Sequence, residues 1–148
     1  MKITLRLAAI AVFGILLTSA CVASAQVLYN QGAVERVTLV HVTPGQGNAF
    51  AADLKRDLVP LWEAEKKAGV ILDYQIFTNQ TTSSSEDWDI GFSIVYKDMA
   101  ALDGLPDKVY AIRQKLVADD AEWQKKTEKR TEHGRVVTSY LLRVVTLR

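Results

Sequence analysis

The amino-acid sequence predicts an α+β domain whose elements run β-α-β-β-α-β. Three observations carry that prediction. Stretches rich in β-branched residues, with two-residue alternation, stand near residue 40, in the middle of the chain and at its C-terminal end. Two long stretches with the 3.6-residue spacing of amphipathic helices separate them. Proline, glycine and short polar runs mark the joints.

The first strand is expected over Val34 to Val42, "VERVTLVHV", and Pro44-Gly45 breaks it. From about Gln46 to Ala68, the apolar residues Phe50, Leu54, Leu58, Leu61, Trp62 and Ala68 share one helical face. Lys66 and Lys67 suit the negative end of the helix dipole, and Gly69 suits a left-handed cap. Pro60 lies inside this helix and is expected to kink or split it, because it has no N–H and crowds the preceding turn. Val70 to Phe77 reads as the second strand, Asn79 to Asp87 as a polar loop, and Trp88 to Tyr96 as a third strand paired with the second in a hairpin. Asp98 caps a short helix, "MAAL", that Gly104 ends. Pro106 suits the first turn of a long helix reaching about Glu132, whose apolar positions Val109, Ile112, Leu116 and Trp123 thin out towards "KKTEKRTEH". Val136 to Thr146 is the last strand.

This order is the split βαβ arrangement of ferredoxin-like folds, a four-stranded antiparallel sheet with its helices on one face. The domain is expected over residues 34–148, after a short leader at 26–33. Alternation is apolar on both sides of the sheet. Val37 and Leu39 oppose Val40 and Val42, while Tyr140, Leu142 and Val144 oppose Leu141 and Val145. Trp88, Ile90, Phe92, Ile94 and Tyr96 are expected to share a face. The face without helices needs cover, and the simplest partner is a second copy of the chain.

Residues 1–25 stand apart. Lys2 and Arg6, an apolar run from Leu7 to Leu17, and Ala23-Ser24-Ala25 before Gln26 have the order of a secretory signal peptide, cleaved between Ala25 and Gln26. The apolar run falls short of the roughly 20 residues that span a bilayer. The mature chain is therefore expected to be exported, periplasmic or secreted, with no transmembrane segment. "LTSAC", Leu17 to Cys21, offers a rival cleavage that would leave a lipid-anchored Cys21, although Thr18 fits such a motif poorly. Removing residues 1–25 takes away two basic residues and the single cysteine, turning a net charge of +1 into −1 and leaving no disulfide. Interspersed charges near neutrality give no argument for nucleic acid.

The strand, "TPGQGNAF", a long helix and then "GFSIVYKDMAALDGL" resemble the dimeric α/β-barrel superfamily, in its antibiotic-biosynthesis-monooxygenase and NIPSNAP-like kinds and in small exported bacterial proteins. The resemblance rests on Val42, Pro44, Gly45 and Phe50, then on Val95, Tyr96, Lys97, Asp98 and Ala101. It implies a homodimer. The superfamily includes cofactor-independent oxygenases, haem-degrading enzymes and members of no known chemistry. Haem-degrading members use an asparagine on the first strand, a tryptophan and a histidine on the last long helix. Here no histidine stands from Pro106 to Glu132 and no asparagine between Val34 and Val42, so haem degradation is not expected.

The residues themselves offer few sites. Gly45-Gln46-Gly47 has neither the lysine of a Walker loop nor the third glycine of a dinucleotide loop, so it reads as a turn into a helix. His41 is a general-base candidate near a strand end, or a half-exposed edge residue. His133 reads as a solvated turn residue, and the two histidines lack metal-ligand spacing, so no metal is expected. Asp73 is an acid on a strand face with Ile71 and Phe77, where burial would raise its pKa and a salt bridge would not. Tyr74, Trp88 and Tyr96 are ligand-wall candidates, although strand alternation sends Asp73 and Tyr74 to opposite faces. Trp62, Trp88 and Trp123 read first as core or interface residues. No motif implies a cofactor. The expectation is an exported homodimer that is non-catalytic or binds a small apolar molecule. The alternative is a cofactor-independent, monooxygenase-like enzyme with a sheet–helix pocket.

Overall fold

The computed structural model describes residues 28–81 and 84–148. The expected signal, its Ala25–Gln26 junction and Cys21 lie outside the described residues. The elements are β1 (Tyr29–Val42), α1 (Gly47–Asp53), a π-helical turn (Leu54–Leu58), α2 (Val59–Lys67), β2 (Asp73–Thr78), β3 (Ile90–Tyr96), a 3₁₀ turn (Met99–Leu102), α3 (Leu105–Leu116), α4 (Asp120–His133) and β4 (Gly134–Leu147). The four strands form one antiparallel sheet in the order β2-β3-β1-β4, as the split βαβ reading requires.

Local chemistry explains most joints. Thr43 to Gln46 close a turn in which the Gln46 N–H donates to the Thr43 carbonyl at 2.8 Å, with Pro44 second and Gly45 third at φ 80°. That is a type II turn, where proline presets φ and glycine supplies the positive φ. Pro60 does not break its helix. The turn before it widens instead, and the Val59 N–H donates to the Leu54 carbonyl five residues back. Downstream, Gly69 (φ 72°) ends α2 in a Schellman motif, with its N–H on the Lys66 carbonyl and the Val70 N–H on the Glu65 carbonyl.

Three expectations need correction. β1 begins at Tyr29, so Tyr29–Ala33 are strand, not leader. Pairing with β4, from Tyr29 opposite Leu147 to Val42 opposite Gly134, holds these polar residues extended. The last helical stretch is two helices rather than one. Asp119 leaves the helical path and its carboxylate accepts the Ala121 N–H at 2.8 Å, capping α4. Finally, Trp88 does not share a face with Ile90 to Tyr96. It precedes β3, where alternation no longer applies, and its ring stands edge-on to Phe77.

The helices cover one face of the sheet. Val34, Trp62, Ile71, Tyr96 and Leu105 form one core cluster, and Val40, Val42, Phe50 and Leu54 another. β4 behaves differently. Val136, Tyr140, Leu141, Leu142, Val144 and Val145 are all exposed, so this edge strand presents apolar side chains on both faces.

Candidate functional site

A cavity of about 470 Å³ lies between the sheet and the α2–α3 pair, walled by Trp62, Ile94, Tyr96, Leu102, Leu105 and Val109. Two charged residues share it, Arg36 from β1 and Glu65 from α2. Arg36 lies on the helix-facing side of β1 because it is two residues from Val34, the most deeply buried residue of that strand. Glu65 follows Leu61 by four residues and Trp62 by three, so it falls in the apolar stripe of its helix. Its backbone carbonyl is fixed by the Schellman motif.

Glu65 is only 3% exposed. Burial pushes its carboxyl up to about 7. A carboxylate in the last turn of a helix is also disfavoured by the helix dipole. Among the described residues, the Glu65 side chain has no hydrogen-bond or ion-pair partner. The Arg36 side chain likewise has none and only approaches the Tyr96 ring, at 5.7 Å from its centroid. Burial also raises the Tyr96 phenol, with Arg36 opposing and Glu65 adding to the shift. Tyr96 therefore senses both charged groups, while neither Arg36 nor Glu65 has a hydrogen-bond or ion-pair partner among the described residues.

The candidates read from sequence are scattered. Tyr96 is in the cavity, buried at the end of β3. Tyr74 stands behind it. Its ring packs on Trp62 at 5.2 Å, and its hydroxyl donates to Glu63 at 2.6 Å, which raises its pKa. Asp73 is exposed and bonded to Lys66 Nζ at 2.7 Å, and Lys66 lowers its pKa. The salt-bridge reading of Asp73 is the correct one, and the buried-acid reading is not. His41 faces away from the helices. Its Nδ1 donates to the Asp87 carbonyl at 2.8 Å and lies 3.2 Å from Asp89, whose carboxylate also accepts the Val42 N–H. Trp88 packs on Phe77. His41, Asp73 and Trp88 line no part of this cavity.

A second cavity, of about 490 Å³, opens between the sheet and the α1–α4 pair, lined by Val40, Phe50, Leu54, Leu58, Phe92 and Arg130 among others. An ionic network is built from residues that neighbour its lining in sequence. Arg56 donates to both Asp53 and Asp57, and His133 Nδ1 lies 2.6 Å from Asp53. Burial pushes Asp53 up, but hydrogen bonds from His133 and Arg56 outweigh it and hold the carboxyl below its usual value. Arg130 Nη1 is fully buried with no hydrogen-bond partner among the described residues. His133 is thus part of α4 and of this network, not a solvated turn residue. Asn30 also falls within β1, but at the end opposite His133, where it accepts from Arg148 at 2.9 Å.

The sequence matches no protein-family model and no curated protein. The chain is similar in structure to a dimeric ferredoxin-like protein from an uncultured marine organism, with TM-score 0.50 and 13% identity over 80% of this chain and 90% of that one. It is similar also to a dimeric ferredoxin-like protein of unknown function from a Jannaschia species (TM-score 0.45, 14% identity, 76% and 98% covered). An EthD-like protein from Ralstonia eutropha aligns with TM-score 0.40 and 9% identity, over 80% and 93%. At such identities the likeness is one of fold. The chain is a ferredoxin-like α+β protein, as its element order predicts.

Proposed function

We propose that the mature protein is an exported homodimer that binds a small, largely apolar molecule between its sheet and the α2–α3 pair. The observation that carries this reading is Glu65, a buried carboxyl with no partner in a cavity whose walls, apart from it and Arg36, are apolar and aromatic side chains. A few convergent polar groups in an apolar concavity are what ligand sites have in common. A carboxyl buried this deeply is ordinarily paired, and Glu65 is not, while the half-buried Arg36 beside it is also free to take a ligand. Dimer formation is supported by the apolar side chains on both faces of β4, and export by the signal-like order of residues 1–25.

A neutral fluorescent dye, N-phenyl-1-naphthylamine, tests the cavity. Saturable binding that is lost in Val109→Trp, which fills the cavity, is the expected result. Dye binding that is absent, or untouched by Val109→Trp in a folded variant, would overturn the reading. The mass of protein from the exported fraction tests the export route, with a chain beginning at Gln26 expected and a diacylated Cys21 contradicting it.

A further inference from the structure

The cavity beside Glu65 has a more specific chemistry than apolar binding. It holds one permanent cation, Arg36, with no anion paired to it, and one carboxyl, Glu65, with no donor or cation paired to it. They come from opposite layers, one from the sheet and one from the helices, and they leave each other unpaired. A ligand that satisfies both must bridge the layers.

We propose that this cavity binds a small aromatic or aliphatic monocarboxylate, its oxygens accepting hydrogen bonds from the Arg36 guanidinium on the sheet side and from the Glu65 carboxylic acid on the helix side. The inference rests on reading the cavity as a ligand site. An amine would meet the repulsion of Arg36, and a wholly apolar molecule would leave the buried Glu65 carboxyl unsatisfied. A carboxylate gives Arg36 the planar acceptor that it binds best, and a protonated Glu65 supplies an O–H donor. The ring walls of Trp62 and Tyr96 suit an apolar body.

This arrangement makes binding depend on the protonation of Glu65. The titratable or charged groups that face it are few. Arg36 comes from β1 and Tyr96 from β3, while α3 and the 3₁₀ turn contribute only Leu102, Leu105, Pro106 and Val109. On its own helix Lys66 is committed to Asp73, and Glu63 to Tyr74. Binding therefore takes up a proton wherever free Glu65 is ionised, and affinity falls as pH rises.

Benzoate is the probe, followed by calorimetry and by displacement of the neutral dye from the full mature protein. The expected affinity is about tenfold higher at pH 6 than at pH 8, with proton uptake at pH 8. Arg36→Met should lose benzoate while retaining the dye. Glu65→Gln should bind benzoate with an affinity independent of pH, since its amide donates at any pH. Benzoate affinity that does not vary with pH in the wild type, or that survives Arg36→Met, would overturn the proposal. Dye binding without benzoate binding overturns the carboxylate class and leaves the cavity reading standing. Binding of neither overturns both.

Discussion

Glu65 sets the largest single-residue expectation. Its ordinary carboxyl value is 4.5 and its value in the folded protein is about 7. Between those values the folded chain holds a proton that the unfolded chain has released. Stability is therefore greatest below the lower value and falls as pH rises through the window, by at most about 3 kcal/mol. Urea melts at pH 5 and pH 8 should show that fall in the wild type and its absence in Glu65→Gln, which is then the more stable protein at pH 8. Gly91 is a second test at this scale. A Cβ there would lie 2.2 Å from the Phe77 ring and 2.9 Å from Leu39, on the face away from the helices. Phe77 is held in turn by Trp88. Gly91→Ala is expected to cost about 1 kcal/mol, read by urea denaturation, because ring and leucine tips must shift to make room. The sequence carried a signal for Glu65 that its apolar periodicity obscured. Counting only the apolar members of the stripe Phe50, Leu54, Leu58 and Leu61 leaves out the acid that continues it. Arg36 was hidden differently, as one of two adjacent charges, Glu35 and Arg36, of which strand alternation turns only one towards the helices. Asp73 drew notice instead, although Lys66, on the neighbouring helix, ties it to the surface.

At the level of elements, the order of strands and helices was legible because hydrophobic period and turn chemistry agree. The type II turn at Pro44-Gly45, the Schellman stop at Gly69 and the Asp98 cap on Ala101, at 2.9 Å, all follow local rules. What local rules did not reveal were features decided by partners distant in sequence. The N-terminal half of β1 is polar and becomes strand only because β4 lies beside it. Pro60 is accommodated by a π turn rather than a break, because packing on both sides holds the helix against the sheet. The split between α3 and α4 turns on Asp119, which reads as helix-compatible until its side chain is seen to cap. Asp119→Ala should therefore cost about 1 kcal/mol, and Asp119→Asn little, by thermal or urea melts. Equal losses in both would show that the cap hydrogen bond does not set this boundary.

The molecule as a whole leaves one strand uncovered. β4 pairs with β1 along its length, yet its apolar residues on both faces remain in water in the single chain, a combination that edge strands of soluble monomers avoid. A wild-type dimer at micromolar concentration is expected by light scattering. Leu142→Glu combined with Val144→Glu should give monomer with unchanged helical circular dichroism, and an unaltered dimer would place the contact elsewhere. The central claim, however, concerns the space between the layers, where a carboxyl and a guanidinium face the same cavity without pairing. Its most direct measurement is a ¹³C NMR titration of the Glu65 carboxyl in the intact protein, with and without benzoate. The account predicts a midpoint of about 7 in the free protein, moving upward when benzoate binds. A midpoint at the ordinary 4.5 that benzoate leaves unmoved would contradict it.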